Sequence, residues 1–299
     1  MNYFPLSYIE PIFRPPSEAR SLILQITNGC SHNKCTFCDM YTAEQKKFSA
    51  KKETEVFDEI KKVASIPGVK RIFLADGDAM VLSFRRLKAI LEEIKRQMPH
   101  IERVSAYCLP SNIKKKTVEE LAKLKALGLG MVYVGCESGD DFVLEKIQKG
   151  ETYESSKDAL IKLKQAGIVS SVMILNGLGG RMFSEQHAIN TAKLMNETQP
   201  EYVSTLVVSF PLGEERFRAG FEGGHSERYE PLQQSELFQE IRTFIAHLEL
   251  ENTVFRSDHA SNYLVLKGNL GEDKAKILKQ IDLALHGAIP LRQEWQRGL

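Results

Sequence analysis

The sequence has 299 residues, of which 42% are hydrophobic and 26% charged, the balance of a globular chain with a sizeable core. That composition excludes a wholly disordered chain, a collagen-like repeat and a disulfide-stapled miniprotein. With 40 Lys and Arg against 39 Asp and Glu, the net charge is +1, which excludes a protein that holds nucleic acid mainly through its global field.

In chain order, residues 1–20 read as a lead-in. Met1-Asn2-Tyr3-Phe4-Pro5 lacks the basic and apolar regions of a signal peptide. No stretch approaches the ~18 consecutive apolar residues of a membrane span, so no membrane partner and a cytoplasmic address are expected. From residue 21, short apolar runs at 22–26, 69–74, 104–107, 131–134, 168–175 and 202–208 alternate with amphipathic segments at 54–65, 83–98, 117–127, 153–166 and 184–197. Strands separated by helices of this length imply βαβ units and a parallel sheet. Thr117 and Glu120 have the spacing of a capping box, and Gly128 and Gly167 stand where a helix ends in a left-handed residue.

Six such strands can curl into a partial barrel but fall short of the eight that close one. The expected fold class is therefore α/β, a partial (β/α)6 TIM-like barrel over 21–212. A short C-terminal α/β extension over 213–299 is expected to cap it. Within that extension, 213–224 reads as a loop, and 233–250 and 273–285 read as helices. Lys114, Lys115 and Lys116, like Lys46, Lys47, Lys51 and Lys52, read as solvated surface.

Cys30, Cys35 and Cys38 are the most informative residues, falling within nine positions directly after the first predicted strand. The loop thus sits at the C-terminal end of the sheet, the edge where α/β folds place their chemistry. Three thiolates on one short loop can converge on a metal centre. Zinc wants four closed ligands; a second Cys-x-x-Cys is missing, and His32 is the only nearby fourth donor. Three cysteines satisfy three corners of a four-iron cluster and leave one iron open to a small molecule. Burial for packing alone fits poorly with neighbours such as Ser31, His32, Asn33, Lys34 and Thr36.

Three further strand ends carry polar or glycine-rich motifs: Asp76-Gly77-Asp78, then Glu137-Ser138-Gly139, then Asn176-Gly177-Leu178-Gly179-Gly180. Charged side chains at such strand ends can hold polar groups by strong hydrogen bonds, and glycines permit close backbone approach. The plain alternatives are a solvated or capping acidic turn and a glycine-rich turn before the helix at 184.

Together these motifs resemble the radical S-adenosylmethionine (SAM) superfamily over roughly residues 20–210, with the aromatic Phe37 just before the third cysteine. The spacing here is Cys-x4-Cys-x2-Cys where the family usually has Cys-x3-Cys-x2-Cys, which marks a subgroup. The resemblance implies that Cys30, Cys35 and Cys38 hold a [4Fe–4S] cluster whose open iron binds the amino and carboxylate groups of SAM. It places Asp76, Gly77 and Asp78 at the Gly-Gly-Glu type motif that receives the SAM amino group. Glu137 and Ser138 would lie against ribose and methionine, and Gly177 and Leu178 against adenine. The Glu137 segment resembles that of methylthiotransferase-like and Elongator-like members. Ser105 is a further SAM-side candidate, with Ser111, Asn112 and Arg181 behind it. Met40 occupies a position where oxygen-independent coproporphyrinogen oxidases carry a further cysteine, and it is placed with Phe37 on the cofactor side.

The implied activity is reductive cleavage of SAM to a 5′-deoxyadenosyl radical, which takes hydrogen from a small-molecule or macromolecular substrate not identified by the sequence. A flavodoxin- or ferredoxin-type reductant is implied as partner. The competing readings are a non-enzymatic iron–sulfur electron-transfer or cluster-delivery protein and a zinc-stabilised binding protein. Cys108 and Cys136 are too few for a second four-thiolate cluster. Strand alternation turns Cys136 toward the helices if Glu137 faces the cavity, so both are expected to pack. Arg256, His259 and Asn262 are expected at the barrel mouth, binding substrate, against the alternative that this segment only packs.

Overall fold

The apolar runs fold as strands and the amphipathic segments as helices, because each segment buries the face its period defines. The computed structural model describes residues 5–221 and 228–297; residues 1–4 of the lead-in and 222–224 of the expected loop lie outside them. Among the described residues, eight strands belong to one mostly parallel sheet, and two short ones form a separate ribbon. The chain divides into two compact units.

The first unit comprises Met1–Asn33, Met40–Val134 and Ile161–Ser170. It contains β1 (Leu22–Gln25), β2 (Thr27–Asn28), β3 (Ser49–Ala50), α1 (Glu53–Val63), β4 (Arg71–Ala75), α2 (Phe84–Gln97), β5 (Arg103–Cys108), α3 (Pro110–Lys114), α4 (Val118–Ala126) and most of β6 (Leu129–Glu137). β1, β4, β5 and β6 pair in parallel in that order, while β2 and β3 form the antiparallel ribbon. Val56, Ile60 and Val63 of α1 and Leu87, Ile90, Leu91 and Ile94 of α2 are buried, as helical spacing requires. Phe73, Tyr107 and Tyr133 from adjacent strands pack edge to face, with ring centroids 5.1–6.2 Å apart. The expected capping box forms: the Glu120 N–H donates to Thr117 Oγ1 at 3.2 Å and the Thr117 N–H to Glu120 Oε2 at 3.0 Å.

The second unit comprises Lys34–Asp39, Gly135–Leu160 and Ser171–Leu299. Its elements are α5 (Asp141–Lys146), α6 (Tyr153–Gln165), β7 (Val169–Asn176), α7 (Gly180–Thr198), β8 (Tyr202–Val207), α8 (Glu215–Phe221), α9 (Gln234–His247), β9 (Val254–Ser257), β10 (Leu266–Asn269) and α10 (Lys274–Leu285), the division running through α6 and β7. β7, β8 and β9 are parallel, and β10 returns antiparallel to β9. The strands β9 and β10 are additions to the six that periodicity shows; their sequences, Val254-Phe255-Arg256-Ser257 and Leu266-Lys267-Gly268-Asn269, contain no continuous apolar run like that of the equally short β1.

Two expectations are corrected. Residues 215–221 form a helix where a loop is expected: Glu214 and Arg218 pair at 2.7 Å across one turn, and Phe217 and Phe221 are buried at the same spacing. Lys46 and Lys116 are buried rather than solvated. Lys116 Nζ donates to the carbonyls of Met80 (2.7 Å) and Asn112 (3.0 Å), and burial lowers its pKa. Among the described residues no helix is long and apolar enough to cross a membrane.

Candidate SAM and cluster site

In the first unit, Cys30 lies against the turn that follows β4. A Cβ on Gly77 would stand 2.8 Å from Cys30 Cβ and 2.8 Å from Tyr41 Cε2, so only glycine permits this approach. Asp78 is fully buried and holds the residue after Cys30: the Ser31 N–H donates to Asp78 Oδ1 at 2.9 Å, and the Ser31 hydroxyl donates to Oδ2. Asn112 Nδ2 donates to the same carboxylate at 3.3 Å. Asp76 is also fully buried and pairs with Lys46, whose Nζ further donates to the Ile9 carbonyl at 2.9 Å. Burial pushes both carboxyls above the usual range, against the partners that favour their charge. The two acids expected to receive an ammonium are thus engaged in fixing the cysteine-bearing loop.

In the second unit, Cys35 to Cys38 form a turn in which the Cys38 N–H donates to the Cys35 carbonyl at 3.3 Å. The Thr36 N–H donates to the Ile147 carbonyl at 3.0 Å, and Phe37 packs on the apolar cluster of Val143, Leu144, Ile147, Phe217, Phe221 and Tyr229. Arg216 of α8 donates to the Cys38 carbonyl at 2.5 Å and to Asp39 Oδ1 at 2.9 Å. Met40, assigned to the first unit, is half-buried.

Glu137 ends β6 in the left-handed region at φ 64°, a conformation that costs a non-glycine residue ~1–3 kcal/mol and clusters at functional sites. Its carboxylate accepts from Lys149 Nζ at 3.0 Å, both side chains being buried. Burial works against the Lys149 charge, but Glu137 and the nearby Cys35 sulfur outweigh it and hold the ammonium above its ordinary pKa. Lys149 also stands 5.8 Å from the centre of the Phe37 ring. Ser138, by contrast, is fully buried, and its hydroxyl is committed to His187 Nδ1 at 2.7 Å.

Gly177 follows β7 at φ 84°, its N–H donating to Glu240 Oε1 at 2.6 Å. Leu178 is fully buried in the apolar cluster, so its side chain belongs to the core. Ser105 is likewise fully buried, its hydroxyl 3.5 Å from the Ile72 carbonyl of the next strand. Arg181 is committed to Glu236 at 2.7 Å and Glu230 at 2.9 Å. Asn262 is buried and pins the end of β8, accepting from the Val207 N–H at 2.9 Å and donating to the Thr205 carbonyl at 2.8 Å. His259 bonds Ser261, and burial and Arg292 lower its pKa; Arg256 is exposed on β9. Cys136 is fully buried with its thiol pushed up to about 12 by burial and Glu137, and Cys108 is buried too.

Among the described residues no disulfide forms, and no three His, Cys, Asp or Glu side chains are grouped closely enough to hold a metal ion. The fit of a cluster rests on the donor set: three reduced thiols, soft ligands of the kind iron–sulfur centres use, on a loop anchored at both ends. Lys46, Lys149, His187, Arg216 and Glu240 are the residues that pattern reading misses. Glu240 carried a signal: a carboxylate on the helix face that buries Leu237, Ile241 and Phe244.

The fold and the motifs define a SAM-dependent iron–sulfur protein. A family model described as the Radical SAM superfamily matches residues 24–195, more than half of the chain, which therefore belongs to that superfamily. Its cofactors are a [4Fe–4S] cluster and S-adenosylmethionine. The chain is similar to the heme chaperone HemW of Bacillus subtilis (strain 168), at 26% identity over 52% of this chain and 41% of that protein. It is also 26% identical to a putative methylthiotransferase of Methanocaldococcus jannaschii, over 50% of this chain and 33% of the relative. The chain thus spans less than half the length of these two relatives. Coproporphyrinogen III oxidase (HemN) from Escherichia coli, described as a radical SAM enzyme, shares the fold at TM-score 0.54 and 13% identity, over 91% of this chain and 70% of that one. The partial TIM-like barrel expected from the strand order is borne out by that likeness.

Proposed function

We propose that this chain is a radical SAM enzyme in which Cys30, Cys35 and Cys38 ligate the cluster and leave one iron open to SAM. The observation that carries the reading is the three-thiol loop, tied on the Cys30 side by Asp78 and on the Cys38 side by Arg216. Held by Cys30, Cys35 and Cys38, a cluster would supply the electron, taken from a low-potential flavodoxin- or ferredoxin-type donor, for reductive cleavage of SAM to methionine and a 5′-deoxyadenosyl radical able to take a hydrogen atom from a substrate.

The chain's own residues bind, orient and exclude water. Carbonyls of the Asp76–Gly77 turn accept from the SAM ammonium. Glu137, steadied by Lys149, keeps lone pairs for a ribose hydroxyl. The Gly177–Leu178 backbone lies beside adenine. The core over 21–212 carries these groups, and the extension over 213–299 caps it.

The test is anaerobic reconstitution with iron and sulfide, then product analysis with SAM and dithionite. The wild-type chain turns brown and releases 5′-deoxyadenosine, and Cys30→Ala loses both. Retention of SAM cleavage by Cys30→Ala discards the reading. One observation favours a second reading, a non-enzymatic carrier: a relative is named a heme chaperone. A loaded protein that releases no 5′-deoxyadenosine but shifts the visible spectrum of added heme supports it.

A further inference from the structure

Two of the strand-end segments assigned above to SAM, Glu137-Ser138 after β6 and Leu175 to Leu178 at the end of β7, are braced by side chains from helices behind them. His187 of α7 bridges both: Nδ1 meets the Ser138 hydroxyl at 2.7 Å, and Nε2 meets the Leu175 carbonyl at 3.1 Å. A carbonyl only accepts, so Nε2 donates its proton to Leu175, and Nδ1 shares a hydrogen bond with the Ser138 hydroxyl. Ser138 Oγ in turn accepts the Asp140 N–H at 3.0 Å. Glu240 of α9 completes the brace with both carboxylate oxygens, accepting the Gly177 N–H at 2.6 Å on Oε1 and the Ser184 hydroxyl at 2.6 Å on Oε2. The opposite face of the Gly177 peptide is held as well, its carbonyl accepting from the Tyr229 hydroxyl at 3.2 Å.

Such a carboxylate is costly to bury, since it is 3% exposed and burial raises its pKa against His187, Ser184 and Gly177. A water-exposed turn would satisfy the Gly177 N–H with solvent at no such cost. Glu240 also lies outside the segment 24–195 that the family model matches, so it is an element of this chain's C-terminal extension.

We propose that Glu240 is a positioning residue for the adenosyl moiety of SAM, acting through the Gly177 turn whose backbone it fixes. The inference rests on the assignment of Gly177–Leu178 to adenine. It gives the extension a part in cofactor binding that is separate from any contact with substrate. Glutamine preserves the geometry, with Oε1 accepting from Gly177 and Nε2 donating to Ser184 Oγ. Alanine removes both bonds, and aspartate, one methylene shorter, cannot span both.

The experiment measures equilibrium binding of S-adenosylhomocysteine and of methionine to the anaerobic, cluster-loaded protein, together with amide exchange over residues 174–180. Glu240→Ala and Glu240→Asp should weaken S-adenosylhomocysteine at least ten-fold, leave methionine within three-fold and speed exchange at Gly177, while Glu240→Gln stays within three-fold of wild type on both ligands (order-of-magnitude expectations for a charge-assisted bond). A loss that falls equally on both ligands, or no loss in either folded variant, overturns the inference while the SAM reading stands. Failure of the wild-type protein to bind S-adenosylhomocysteine overturns both.

Discussion

The two ends of the cysteine loop are held by opposite physics. At the Cys30 end, two fully buried carboxylates of one short turn do the holding, Asp78 through Ser31 and Asp76 through Lys46. At the Cys35–Cys38 end, Phe37 packs on the apolar cluster to which Phe217, Phe221 and Tyr229 belong, and the polar help comes from the half-exposed Arg216. Buried charges are directional and intolerant, because each must meet its partner at hydrogen-bond distance. Apolar contact is graded by area and volume and tolerates exchange. The charged end lies inside the segment shared with the family, and the aromatic side chains from 217 to 229 lie outside it. One end of the site is thus built from polar pairs within the matched segment, and the other leans on packing contributed from beyond it.

The sharpest test of that contrast is Lys46→Met. Removing one partner of a buried pair leaves the other uncompensated, which costs ~3–5 kcal/mol at neutral pH, read as a lowered urea midpoint. Asp76 in this variant has its folded pKa raised further above the unfolded value of ~3.9. The penalty is therefore full above the folded pKa and shrinks as pH falls toward the unfolded one, so the deficit at pH 8 should exceed that at pH 5. The double variant Lys46→Met with Asp76→Leu should recover most of the loss. A deficit that is independent of pH would show that Lys46 acts through its stem rather than its charge.

Phe217→Ala probes the other end. Truncating this fully buried ring should cost ~3–4 kcal/mol, whereas Phe217→Leu should cost less than ~1.5 kcal/mol. Lys46→Arg has no such leniency, since the larger head has no room in a fully buried site. If Phe217→Leu destabilised as much as Lys46→Arg, the division between tolerant and intolerant ends would fail.

What the sequence makes legible follows the same division. Six strands and the helices between them are visible because periodicity is a local property that burial only reinforces, as Ile60, Leu91 and Leu124 show. The cysteine motif is legible for the same reason, its three thiols lying within one loop. The partners of that loop are not. Lys46 sits in a run of charged residues and reads as solvent-facing, yet it reaches Asp76 across 30 positions. Ser138 and Leu178 fall in the right motifs, but their side chains turn to His187 and to the apolar cluster, and a motif gives no account of which atoms remain available. The α8 helix is hidden because Gly213 before it, Gly220 within it and mixed charges mask Phe217 and Phe221, whose spacing becomes meaningful only once the cluster they enter is known.

The smallest expected effect on stability is also the most selective. Arg216 and Asp39 are both accessible to solvent, so Arg216→Ala should change unfolding free energy by less than ~1 kcal/mol. The same guanidinium, however, holds the carbonyl of Cys38, the last of the three thiol-bearing residues, and without it the turn gains freedom at the point where a ligand must stay put. The loaded variant should lose its cluster to a chelator several-fold faster than wild type, followed by decay of visible absorbance. Arg216→Lys should fall between, because a single ammonium cannot bond carbonyl and carboxylate in the fixed fork of a guanidinium. High salt should move the wild-type rate toward that of the variant, since an accessible pair is screened. Equal decay rates for wild type and Arg216→Ala would assign the retention of this end wholly to the aromatic cluster, and Phe217→Leu would then be the variant that loosens it.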